Sequence, residues 1–130
     1  MNKIQLQDKY PVYVEEIAKS ETSCASTDEV IARLRAAVEA APAASLIAVF
    51  DHQGHVAAQP DGKIAPEIKD SKHILFCLSN AIPNALIPAV RPRAVSVVEL
   101  EDRFVISFLE APVEKPNQVI AGWIEALRQA

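Results

Sequence analysis

At 130 residues the chain has the usual length of one domain, long enough to bury roughly two thirds of its unfolded surface without a disulfide or metal staple. Half of its residues are apolar and 23% are charged, which excludes an intrinsically disordered chain. The 13 basic residues are outnumbered by 17 acidic ones, for a net charge of −4, and the tightest basic group is Arg91 with Arg93. Nucleic acid is therefore excluded as an expected partner, because tracking phosphates needs clustered positive charge.

The chain begins MNKIQLQDKYPVYVEE, without the basic-then-apolar order of a signal peptide. No apolar run approaches the roughly 18 residues that span a bilayer, so no membrane partner is expected. Cys24 and Cys77 are too few and too far apart for a disulfide framework or a zinc motif, and the expected location is the reducing cytoplasm. Neither an internal repeat nor a low-complexity tract divides the chain, and one domain over residues 1–130 is expected.

The first predicted element, Tyr13 to Thr22, reads as an outer strand. A helix follows. Ser26 and Glu29 stand at the spacing of a capping box, and Val30, Ile31, Leu34, Ala37, Val38 and Ala41 recur at helical period until Pro42 ends the element. Ser45 to Phe50 and His73 to Leu78 are short continuous apolar runs of strand length. Ala94 to Leu100 and Arg103 to Glu110 form a hairpin joined near Glu101 and Asp102; without glycine there, a type I turn or longer loop is expected. In the second arm Phe104, Ile106 and Phe108 give an apolar face, and Val105, Ser107 and Leu109 a mixed one. A closing helix starts near Pro116 and carries Val119, Ile120, Trp123, Ile124 and Leu127 on one stripe.

This order predicts an α+β fold, an antiparallel sheet with two main helices on one face. The other face, rich in aliphatic residues, must also be covered, and a two-fold homodimer is the simplest closed way to do so.

Three stretches, FDHQGHVAA, HILFCLSNAIPNALI and RPRAVSVVELEDRFVISFLEAP, carry motifs in an order that resembles the domain-of-unknown-function 302 family. The matching features fall on Asp51 and His52, Asn80 and Pro83, Pro92, and Glu99 with Glu101 and Asp102. They span roughly residues 13 to 112. The chain departs from that family at Phe76 to Pro83, where the family's Phe-Gly-Asn-Pro turn is replaced by a longer segment. The resemblance implies a TATA-binding-protein-like fold of strand, helix, four strands and helix. It implies a tendency to dimerise, and no particular activity.

Asp51, His52 and His55 are the one cluster with ingredients for a metal site or an acid–base pair. A third metal ligand would have to come from His73 or Cys77. The plainer reading is a polar loop with a turn-forming Asp. Cys77, among Ile74, Leu75, Phe76 and Leu78, reads as a small core hydrophobe; as a nucleophile it would need a cation or helix terminus to lower its pKa. Arg91 and Arg93 flank Pro92 and are suited to gripping a carboxylate or phosphate, or to pairing with Glu99 or Glu101. Glu99 interrupts an apolar strand, so if it points inward it needs a partner, most naturally an arginine.

No phosphate loop, nucleophile elbow or dinucleotide fingerprint is present, and only three glycines are available to build one. The expected function is a non-catalytic small-ligand-binding or interaction module, a homodimer without cofactor. Its ligand would sit between sheet and helices against His52, Asn80, Arg91 and Glu99. The alternative is a thiol/redox or metal-dependent enzyme using Cys77 with His52 and His55, and a structural subunit or adaptor is the third reading.

Overall fold

The computed structural model describes residues 1–129. Its six strands, β1 (Asn2–Leu6), β2 (Tyr10–Ala18), β3 (Ser45–Phe50), β4 (Asp70–Cys77), β5 (Arg93–Glu99) and β6 (Arg103–Leu109), form one antiparallel sheet in the order β1-β2-β6-β5-β4-β3. Helices α1 (Thr27–Ala40) and α3 (Glu114–Glu125) accompany it, with a short α-helix, α2 (His52–Ala57), after β3. The fold is therefore α+β.

Helix α1 begins where the capping chemistry predicts. Ser26 accepts a hydrogen bond from the Glu29 N–H at 3.3 Å, and the Glu29 carboxylate reaches back one residue further than expected, to the Ala25 N–H at 2.9 Å. Its apolar stripe, Val30, Ile31, Leu34 and Val38, is buried with Ile120 and Ile124 of α3 against one sheet face. That face is supplied by Ile17, Phe104, Ile106, Phe108, Val95, Val97, Ile74 and Phe76, the residues of strand period two. The Trp123 ring meets Phe76 edge-on at 5.3 Å, fixing α3 over β4.

Three sequence expectations need correction. The strand expected at Tyr13 to Thr22 runs from Tyr10 to Ala18 and is not outermost, because β1 pairs along its far side. The hairpin joining β1 and β2 turns at Gln7 and Asp8, both with positive φ (54° and 57°), a primed turn made without glycine or asparagine. Four strands after the first helix are present, but β1 and α2 make six strands and a third helix. Finally, the gap between sheet and helices is filled by side chains, with Ile74, Phe76, Val95, Val97, Phe104, Ile106, Ile120 and Ile124 wholly buried. The expected place for a ligand is thus occupied by core.

Candidate functional site

The opposite face of the sheet carries no long helix among the described residues. Strand alternation points Val12, Val14, Val105, Ser107, Leu109, Ala94, Ser96, Val98, His73 and Leu75 toward it, and none of these is buried. Across its middle the pairing sets His73 opposite Ser96, Ser96 opposite Ser107, and Ser107 opposite Val14. Directly paired residues stand roughly 5 Å apart at Cβ, so one imidazole and two hydroxyls form a continuous polar row within an apolar surface.

This row floors a concavity of about 660 Å³. Its walls include Leu6, Val12, Val90, Pro92, Leu109 and Val113, and one end bends around Ala111–Glu114 toward Asn117. Asn117, buried in the first turn of α3, accepts from the Ala111 N–H at 2.8 Å and donates to the Val113 carbonyl at 3.3 Å, which fixes that rim. Arg93, at the same end, donates to the carbonyls of Val90 and Leu109. Its burial lowers its pKa, and its Nε is buried without a hydrogen-bond partner.

Beside the His73 end of the row all three histidines gather around Phe50. The His52, His55 and His73 rings lie 5.4, 5.6 and 5.7 Å from it, and His52 and His73 are 5.0 Å apart. Asp51, expected as a turn former, caps α2 by accepting from the Gly54 N–H at 2.9 Å. A Cβ at position 54 would collide with that same carboxylate, which is why glycine stands there. Burial, and after it the neighbouring His52, hold His73 below its ordinary value of 6.5, so the ring that faces the concavity is neutral at neutral pH. Among the described residues, no three His, Cys, Asp or Glu side chains are placed to hold a metal ion.

The four residues expected to converge on a ligand are distributed over three places. Asn80 and Arg91 share a second concavity of about 430 Å³ with Cys77, Ser45 and Ile47, where Arg91 donates to the Ala81 carbonyl at 2.8 Å. His52 lines a small cleft of about 160 Å³ between α2 and Ile64–Ile68. Glu99 lies beside the start of α1, accepting from the Thr27 N–H at 2.9 Å, the Thr27 hydroxyl at 3.1 Å and Lys19 at 2.8 Å. Burial pushes its carboxyl up, but those donors together outweigh burial and hold it below the ordinary range.

The partner of Glu99 is thus a lysine and a helix terminus rather than an arginine. Arg93 stands six residues away at the other end of β5, roughly 20 Å along the strand. Cys77 is likewise four residues from His73 on β4, roughly 13 Å away, so thiol and imidazole do not meet.

The residues that sequence reading passed over are Ser96, Ser107 and Asn117. The hairpin held a usable signal, since each serine interrupts an apolar strand and its register sets one against the other. Asn117 sits three residues before Ile120 on the buried stripe of α3, a polar residue where the period demands an apolar one.

The chain matches the family described as "Family of unknown function (DUF6858)" over residues 1–129. No curated protein and no solved structure matches it. A family of unknown function was the expectation; the 302 family that the motif order resembles is not the one found, and the long Phe76 to Pro83 segment was the departure already visible. The chain belongs to the DUF6858 family.

Proposed function

We propose that the protein is a non-catalytic small-ligand-binding module of the cytoplasm whose site is the concavity on the open sheet face. The observation that carries this reading is the polar row His73–Ser96–Ser107 on the floor of a largely apolar hollow of about 660 Å³. Ligand sites have this size and this pattern, apolar walls with a few placed polar groups. The ligand class is a compact, mostly apolar molecule bearing a neutral hydroxyl or carbonyl. On the floor a neutral imidazole and two hydroxyls offer donors and acceptors without charge; of the charged groups that line the hollow, Arg93 spends donors on two backbone carbonyls, Glu110 is paired with Lys3, and Glu114 stands at the Ala111–Glu114 rim.

A non-catalytic role is favoured over the thiol or metal enzyme because Cys77 stands apart from the histidines. The order of β2, α1, β3 to β6 and α3 supports a TATA-binding-protein-like arrangement extended by β1 and α2.

The test uses N-phenyl-1-naphthylamine, a neutral apolar dye whose fluorescence rises in apolar sites. Saturable binding at one dye per chain is expected, weakened at least tenfold in Ser96→Phe, which fills the floor. Ile82→Lys, far from the row in sequence and exposed, serves as the control and should bind as wild type. Absence of saturable binding, or equal binding by Ser96→Phe at an unchanged melting temperature, overturns the reading.

A further inference from the structure

The two edges of the sheet are built differently. Among the described residues, no strand pairs the outer side of either β1 or β3. The β1 edge is guarded as sheet edges usually are: Lys3 lies within it, paired with Glu110 at 2.9 Å, and Asp8 and Lys9 follow in the turn. The β3 edge has no such guard. Residues 41–50 contain no Asp, Glu, Lys, Arg or His, and neither do residues 77–90.

These two charge-free segments meet in space. Ser45 and Ile47 of β3 line the same hollow as Ala81, Ile82, Ile87 and Pro88. Large apolar side chains there are left in water: Ile47 is 52% exposed, Ile82 79% and Leu86 81%. A bulge between Leu46 and Ala48 limits regular pairing of the free edge to Ala48–Phe50 and leaves Ile47 beside the loop.

From this juxtaposition we infer that the β3 edge together with the 81–90 loop is the interface for a second copy of this chain, a two-fold dimer with β3 antiparallel to its symmetry mate. Charge selects this occupant. A chain of net charge −4 repels its own copies over most of its surface, whereas the hollow on this side is lined by no acidic residue and its one lining cation, Arg91, donates to the Ala81 carbonyl, so two such sides meet with little repulsion. An antiparallel strand is its own complement under a two-fold axis, so the free backbone groups of Ala48–Phe50 are satisfied by the same residues of the partner. Edge pairing alone is too small, since a stable interface takes roughly 800 Å² from each partner, and this is why the exposed loop belongs to it. The open-face concavity meets this interface only at its Ala89–Val90 wall, and its floor row His73–Ser96–Ser107 lies outside it, so dimerisation and ligand binding are tested by different substitutions, Ile47→Lys and Ser96→Phe.

The experiment is light scattering after size exclusion, with native mass spectrometry, on the full chain at micromolar concentration. Wild type is expected at twice the 14.1 kDa chain mass. Ile47→Lys and Ile82→Lys are expected to weaken dimerisation at least tenfold, and Ile4→Lys on the opposite edge is expected to remain dimeric. Both test positions are half or more exposed, and far-UV circular dichroism confirms that each variant is folded; Ile82→Lys carries the test if Ile47→Lys is not. A monomeric wild type overturns the inference, as does a dimer indifferent to both substitutions or one dissolved equally by Ile4→Lys.

Discussion

The two faces of one sheet have been given opposite tasks by residues that alternate along the same strands. On the helix side of β6, Phe104, Ile106 and Phe108 are buried, and on β5 Val95 and Val97 join them. One residue over, Val105, Ser107, Ser96 and Val98 are only partly covered, and the serines replace apolar residues where packing no longer requires them. Hydrophobic burial makes polar substitution on the helix face costly; on the open face it does not, and that is where chemistry specific to this chain can be placed.

The sharpest measure of that difference is a pair of neighbours on β6. Ile106→Ala empties a wholly buried site and is expected to cost about 2–5 kcal/mol in chemical denaturation. Val105→Ala, partly exposed on the other face, is expected to cost about 1 kcal/mol or less. Equal costs would break the comparison, since they would mean that the open face is covered in solution as tightly as the helix face.

The helix face was legible in the sequence because burial writes itself as period. Val30, Ile31, Leu34 and Val38 mark α1, Ile120 and Ile124 mark α3, and Phe104, Ile106 and Phe108 alternate. Elements without a buried face left no such record. NKIQL in β1 is exposed at every residue and its turn is made by Gln7 and Asp8, while α2 is six residues long with a glycine inside it. The polar row was half legible. Ser96 and Ser107 are tied by the hairpin, but His73 joins them only through the register of β4 on β5, which is set across a loop of fifteen residues, 78–92, and no local pattern encodes it. Glu99 was readable as an inward acid. Its partners were not, because Lys19 and Thr27 lie 80 and 72 residues away in the chain.

Glu99 also marks where the helix face tolerates charge, at its margin, and this sets the next largest effect. Glu99→Ala removes the acceptor for the Thr27 N–H and hydroxyl and leaves Lys19 unpaired, for an expected loss of about 1–3 kcal/mol. Because the folded carboxyl is held below its ordinary value of 4.5, its contribution is present above that pH and is lost as pH falls through the lower folded value. Wild type should therefore lose stability in this acid range more steeply than the variant. Parallel acid melting curves would remove Glu99 from its place as the charged cap of α1.

His73 gives the smallest effect and the one that speaks for the open face. Its ring packs against Phe50 and His52, and both the burial and His52 penalise the protonated form, so the folded state takes up a proton less readily than the unfolded chain. Stability must then fall as pH drops below about 6.5, where the unfolded histidine begins to bind its proton, and level off once the folded ring is protonated as well. One proton limits the slope to about 1.4 kcal/mol per pH unit. In His73→Gln the slope between neutral pH and pH 5 should flatten, whereas His55→Gln, which removes a ring tilted against Phe50, should retain it. An unchanged slope in His73→Gln would mean that the ring is freely hydrated. The polar row would then be an ordinary wet surface rather than the floor of a partly dry hollow.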